Sequence, residues 1–278
     1  GRLQKELKAL AEQDSPEGEE SYPAFWEQFG VYIKEGIAMA PTSHDALVDL
    51  LRFRSSRSGD QAWVSLKEYA GRMAEGQAAI YYVLGEDLKS VARSPHMDYF
   101  RANDIEVLYL VDPVDGFVTS MLREYDGKPL QNVDDANLDL PKGKQDAESA
   151  APAVTPEEFD EVVKRFVTVL GERVKTVREA KLLVDSPVRL VSPEESFDRA
   201  SECVRRMTEE RYEAPKKVLE INRRHPMMSC EVLLSCLISS FTQRRIARSS
   251  GSGTSQVGTI AGPIGQNVSC DFAAIQSN

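Results

Sequence analysis

The sequence predicts an α+β architecture with an α/β unit inside it: a helical connector, a small αβα sandwich, then a mixed α+β domain. Three observations carry this prediction. Apolar residues recur at helical spacing near the start; two continuous apolar runs of strand length follow, separated by a crossover-length segment; and a polar, aperiodic stretch then isolates a second unit. With 278 residues, 41% of them hydrophobic, the chain can bury a sizeable core and has room for two domains.

The opening segment, GRLQKELKALAEQ, is charged and helical. In PAFWEQFGVYIKEG the spacing predicts a helix that starts at Pro23 and turns Phe25, Phe29, Tyr32 and Ile33 inward along one face. TSHDALVDLLRF predicts another, with Thr42 or Ser43 as its N-cap, Asp45 in its first turn, and Ala46, Leu47, Leu50 and Leu51 facing the core. Residues 1–60 are therefore assigned to the helical connector. Residues 61–131 form the small sandwich, since AAIYYVLGE and IEVLYLVD are strand-like runs with helix-compatible residues 86–103 between them, an arrangement that predicts a parallel pair. Residues 132–155 are polar, rich in Asp, Ala and Pro, and form the linker. The second unit, residues 156–228, opens with Pro156 at a first helical position. Phe159, Val162, Val163, Phe166, Val169 and Leu170 trace one face of that helix, and Gly171 closes it. VKTVREAKLLV and PVRLV read as β-strands, and a charged amphipathic helix from about Glu194 carries Phe197, Ala200, Val204 and Met207 at helical spacing.

A formal charge of −10 and a pI near 5.0 argue against general affinity for nucleic acid or an anionic membrane, both of which require clustered Lys and Arg. Neither a signal-peptide core nor a run of membrane-spanning length is present, so the expected location is cytoplasmic. Cys203, Cys230, Cys236 and Cys270 show no CxxC pair or disulfide-framework spacing, which suits a reducing compartment.

Candidate chemistry is sparse. Asp112 and Asp115, around Pro113 at the end of a strand-like run, could form a paired-carboxylate site of a small α/β enzyme; Asp and Pro are also ordinary turn formers. His44, His96 and His225 are far apart and lack HxxxH or HExxH spacing, so surface or helix-capping roles are the simpler reading. No GxSxG supports a Ser or Cys nucleophile. GSGTSQVG, residues 251–258, lacks the Gly-Lys-Ser/Thr of a phosphate loop and reads as a flexible tail. Asn267-Val-Ser269 matches a glycosylation acceptor but has no secretory context.

Seven segments, taken together and in order, carry a resemblance: FWEQFGVYIKEG, LLRFRSS, SLKEYAGRMAEGQAAIYYVLGE, SPHMDYFRANDIEVLYLVDPVDGF, LREYDGKPL, DSPVRLV and LEINRRHP. From about Tyr22 to Pro226 the chain resembles the heat shock protein 90 chaperone family in its bacterial HtpG form, covering the later middle domain and the first part of the C-terminal domain. The resemblance implies a piece of a dimeric, ATP-driven clamp that binds unfolded or partly folded client proteins. It also implies that the nucleotide-binding domain lies outside this chain, so neither catalytic residues nor ATP and Mg are expected here. Under it, Asp112 and Asp115 become scaffold. Phe117 and Met121 become client contacts beside a Gly116 that replaces a commonly acidic residue, and Phe197, Val204 and Met207 become client contacts on a mobile amphipathic helix.

The composition changes at the end. Residues 1–228 carry 31 basic and 42 acidic side chains, whereas residues 229–278 carry 3 and 2 but hold ten serines and three of the four cysteines. EVLLSCLISSFTQRRIA could form one helix, while the glycines and Pro263 that follow cannot build the family's dimer bundle. The expectation is a divergent tail, disordered in large part and derived from a changed reading frame or recombined gene end. Three classes follow: a chaperone module with no ATPase domain of its own that holds clients and dimerises only if the tail permits, a non-functional truncated or frame-shifted remnant, and the unrelated α/β enzyme.

Overall fold

The structure, a computed structural model, describes residues 2–12, 16–39, 47–135, 138, 140, 154–192 and 216–229. All four cysteines, His44, the Thr42/Ser43 cap, the helix expected from Glu194 and the tail beyond Ser229 lie outside them.

Helix α1 spans Arg2–Ala11 and α2 spans Pro16–Met39, 24 residues. Pro23 does not start α2 but sits inside it. An interior proline costs a helix about 3 kcal/mol. The helix continues through it because both sides are anchored in the core: Tyr22 and Trp26 are buried, and the Tyr22 hydroxyl donates to the Leu50 carbonyl at 2.7 Å. The buried face is also turned from the one expected. Trp26, Gly30, Ile33 and Ile37 form the seam, and a Cβ at Gly30 would lie 2.7 Å from the Trp26 ring, so the glycine is where the indole lies down. Of the four residues expected inward, only Ile33 is buried; Phe25 is half-buried, and Phe29 and Tyr32 are 46% and 64% exposed.

Six strands follow: β1 (Phe53–Ser55), β2 (Gly59–Val64), β3 (Ile80–Leu84), β4 (Leu108–Leu110), β5 (Glu124–Tyr125) and β6 (Lys128–Asn132). They form one sheet in the order β2-β1-β4-β3-β6-β5. The expected parallel pair is β3 with β4, Tyr82 opposite Leu108, and β6 lies parallel on the other side of β3. Helices α3 (Leu66–Gly71), α4 (Leu88–Ala92), α5 (Asp98–Ala102) and α6 (Asp115–Met121) complete the unit. Every residue of β3 is buried, because alternate side chains enter different cores. Ile80, Tyr82 and Leu84 join Leu108, Leu110 and the α2 seam. Tyr81 and Val83 join Val91, Met97, Phe100 and Tyr109.

In the second unit α7 (Pro156–Leu170) begins with a capping box in which Thr155 and Glu158 satisfy each other's backbone N–H groups, and it ends at Gly171, whose φ is +52°. Strands β7 (Val174–Glu179), β8 (Val188–Val191) and β9 (Lys217–Ile221) form a sheet in the order β7-β9-β8. One sheet face, with Val177, Val188, Leu219 and Ile221, packs on Phe159, Val162, Phe166 and Leu170 of α7. The other carries Glu220, buried and held by Arg189 at 2.7 Å and Arg178 at 2.9 Å.

The two units touch through the packing of Leu182 against the Tyr81–Phe100 core and through polar contacts. Ser186 N–H donates to Asp98 at 2.7 Å, Lys217 lies 3.6 Å from Asp134, and Asp135 bridges to Ser192. His96, expected at a surface or cap, is instead buried at this seam with Nε2 3.2 Å from Asp134. Burial of the adjacent Met97 and Phe100 carries the turn inward. His225 does cap, its Nδ1 accepting from Met227 N–H at 3.2 Å.

Candidate functional site

The DPVD turn connects β4 to α6, and its two carboxylates converge on one ammonium. Lys34 reaches across from α2, donates to Asp112 Oδ2 at 2.6 Å and lies 2.7 Å from Asp115 Oδ1, a charge contact without hydrogen-bond alignment. Asp112 N–H donates to the other Asp115 oxygen at 2.9 Å, and the Phe53 ring lies 5.1 Å from the ammonium. Burial pushes the Asp115 carboxyl above its ordinary range; Lys34 pulls it back, the Asp112 charge adds to the rise, and the backbone hydrogen bond opposes it.

This geometry closes the enzymatic reading of the pair. A general acid or base must reach the proton it transfers. Asp115 is 0% exposed and both carboxylates share Lys34, so the pair has one solvent-facing group, Asp112, and no paired action on a substrate. Among the described residues no group of His, Cys, Asp and Glu could hold a metal ion. No helix among them is long and apolar enough to cross a membrane.

What the clamp holds is α6. Asp115, Val118 and Thr119 face inward with Leu122 just beyond the helix end, while Phe117 is half-buried and Met121 is 47% exposed. Phe117 and Met121, four residues apart, are neighbours along one side of the helix. The other three residues expected to join them, Phe197, Val204 and Met207, lie outside the described residues.

A second exposed apolar feature lies on residues whose helical spacing predicts a core face. On α2, Phe25 stacks on Phe29 with centroids 5.3 Å apart, and Phe29 meets Tyr32 at 6.5 Å. The signal that could have revealed it is the competing seam: Trp26, Gly30, Ile33 and Ile37 at i, i+4, i+7 and i+11 leave these aromatics on the helix flank.

The sequence that builds these two α+β units matches a known class of protein. The family model described as Hsp90 protein matches residues 3–234, and the chain belongs to that family. Among its relatives are proteins named chaperone protein HtpG. That of Chlorobaculum tepidum is 41% identical over 211 residues, 75% of this chain and 33% of the relative. That of Aromatoleum aromaticum is 39% identical over 222 residues, 79% of this chain and 34% of the relative. That of Nitrosospira multiformis is 37% identical over 223 residues, covering 80% and 35%. The chain thus spans about a third of the length of the curated relatives it matches.

Proposed function

We propose that this chain supplies a client-holding surface of an Hsp90-type chaperone: it binds unfolded or partly folded proteins through apolar side chains shown on a solvated, acidic frame. The observation that carries this reading is membership of the Hsp90 family, whose relatives here are named as chaperones. The placement of Met121 and Phe117 on α6 supports it, since an exposed apolar side chain on a rigid element is what a passive holding surface requires. The net charge of −10 keeps such a surface soluble. Holding of this kind requires no nucleotide turnover.

The test is light scattering from a heat-unfolding client with increasing amounts of the chain, compared with the Phe117→Ser/Met121→Ser variant. Suppression by the parent chain and its loss in the variant, with both equally folded by circular dichroism, is the expected result. Equal suppression by both would sink the assignment to α6. The same preparations bear on the family's dimeric clamp, which we extend to this chain as a homodimer through its C-terminal domain that forms only if the tail permits; sedimentation velocity is expected to show a monomer–dimer equilibrium, and a monomer at every concentration would retire the extension.

A further inference from the structure

The α6 helix has too little structure of its own to hold its direction. It is seven residues long, below the length at which an isolated helix persists, and its N-cap, Val114, offers no side-chain acceptor to the first turn. What fixes the first turn is Asp115, one oxygen of which accepts from Asp112 N–H while the other meets Lys34. A carboxylate at a helix start also suits the positive end of the helix dipole. The cation comes from α2, whose buried seam belongs to the same core as Val118 and Leu122. Apolar contact alone tolerates sliding, whereas a buried charge contact is lost within an ångström or two.

We propose that Lys34 is the positioning residue of the α6 surface: by spanning Asp112 and Asp115 it sets the start of the helix and so the direction in which Phe117 and Met121 are presented. The claim about presentation rests on the client-holding reading above; the claim about the helix does not. Lys34 touches no client and acts through Asp115.

The charges make the proposal testable. Removal of Lys34 alone leaves a carboxylate at 0% exposure with no cation beside it, a state that a protein relieves by protonating the group or by opening the turn. The charged groups facing Asp115 are Lys34 from α2 and Asp112 from its own turn; β1 contributes the uncharged Phe53 ring beside Lys34. In a Lys34→Met chain the folded-state pKa of Asp115 rises further, so the hold on α6 that this variant retains is present below the unfolded carboxyl pKa and is lost as pH rises through the folded one. Removal of both charges, in Lys34→Met/Asp115→Asn, leaves no buried charge and keeps an acceptor for Asp112 N–H.

The experiment is hydrogen exchange by mass spectrometry over residues 115–122 in the full chain, alongside binding of a reduced, carboxymethylated globular protein as a permanently unfolded client. For Lys34→Met at neutral pH, protection of α6 and client affinity each fall by roughly tenfold or more, as follows from leaving a buried carboxylate unpaired. Both recover in part as pH is lowered, because burial favours the protonated form of the Asp115 carboxyl. Both also recover in part in the double variant at neutral pH, which removes the stranded charge but not the loss of the span. If the single variant does not fold, the double variant carries the test: a folded double variant whose α6 protection lies below that of the parent chain supports the proposal, and one equal to the parent overturns it. Unchanged α6 protection in Lys34→Met, or a double variant no better than the single, overturns it. If Phe117→Ser/Met121→Ser leaves client affinity intact, the client reading falls while the exchange measurements still decide the role of Lys34.

Discussion

A glycine sets how α2 sits. Gly30 gives up its Cβ so that the Trp26 indole can lie along the helix, and the buried seam follows from that contact. Gly30→Ala therefore has two opposed effects. It gains about 1 kcal/mol of helix propensity but drives a methyl to 2.7 Å from a buried aromatic ring, and overpacking of this kind costs about 1–3 kcal/mol. The ring cannot swing aside without disturbing Trp63, 6.3 Å away, so overpacking wins. The expected outcome is a lower urea midpoint for Gly30→Ala with an unchanged slope; a higher midpoint would show that the indole has room to move. The same residue explains why Phe29 and Tyr32 were assigned inward from sequence. Periodicity weights aromatic residues as core and gives a glycine no weight, yet here the glycine marks the buried line.

Elements with a strong local signal were legible in the sequence. The β3–β4 pair was readable because both runs are apolar throughout, as befits strands covered on two faces, and α7 was readable from its proline, its apolar stripe and Gly171. Strand β9 was not anticipated as a strand: Lys217 and Glu220 interrupt its apolar residues, and only the folded sheet shows that Glu220 is buried against two arginines drawn from β7 and β8. Tertiary pairing of this kind leaves no trace in local spacing. The Lys34 clamp was hidden for the same reason, since its cation lies 78 positions from Asp112 in the chain. Arg189 is 2% exposed by side chain, whereas Arg178 remains 38% exposed. Arg189→Met is accordingly expected to lower stability by about 3 kcal/mol, because it leaves a buried carboxylate poorly compensated. Arg189→Met with Glu220→Leu should recover most of that loss. Urea melts of the two variants make the comparison, and a double variant as weak as the single would mean that the arginine acts through packing of its stem.

At the scale of the whole molecule, polar contacts and the packing of Leu182 join the units. Asp98, 3% exposed, accepts the Ser186 N–H, and Asp134 sits between His96 and Lys217. Loss of one buried acceptor typically costs about 1–3 kcal/mol. Asp98→Ala is expected to weaken the connection rather than either core, so that the two units unfold at different urea concentrations. Trp26 and Trp63 are the only tryptophans and both lie in the first unit, which separates the signals. In the variant, tryptophan fluorescence should keep its midpoint while part of the far-ultraviolet circular dichroism change moves to lower urea. Coincident curves for the variant would show that the Asp98 contact is not what couples the units.

The place of α6 in the strand order has a mechanical consequence. It follows β4, an interior strand whose residues are all buried, and precedes β5, a two-residue strand at the sheet margin. Amide exchange in β4 requires opening of much of the sheet, whereas a two-residue margin frays locally. The helix is thus a beam held at both ends: its root, at Asp115, is built into the wall beside the interior strand, and Leu122, buried one residue past Met121, pins the other end in the core. A beam so held keeps Phe117 and Met121 on one bearing even where the margin beyond it frays.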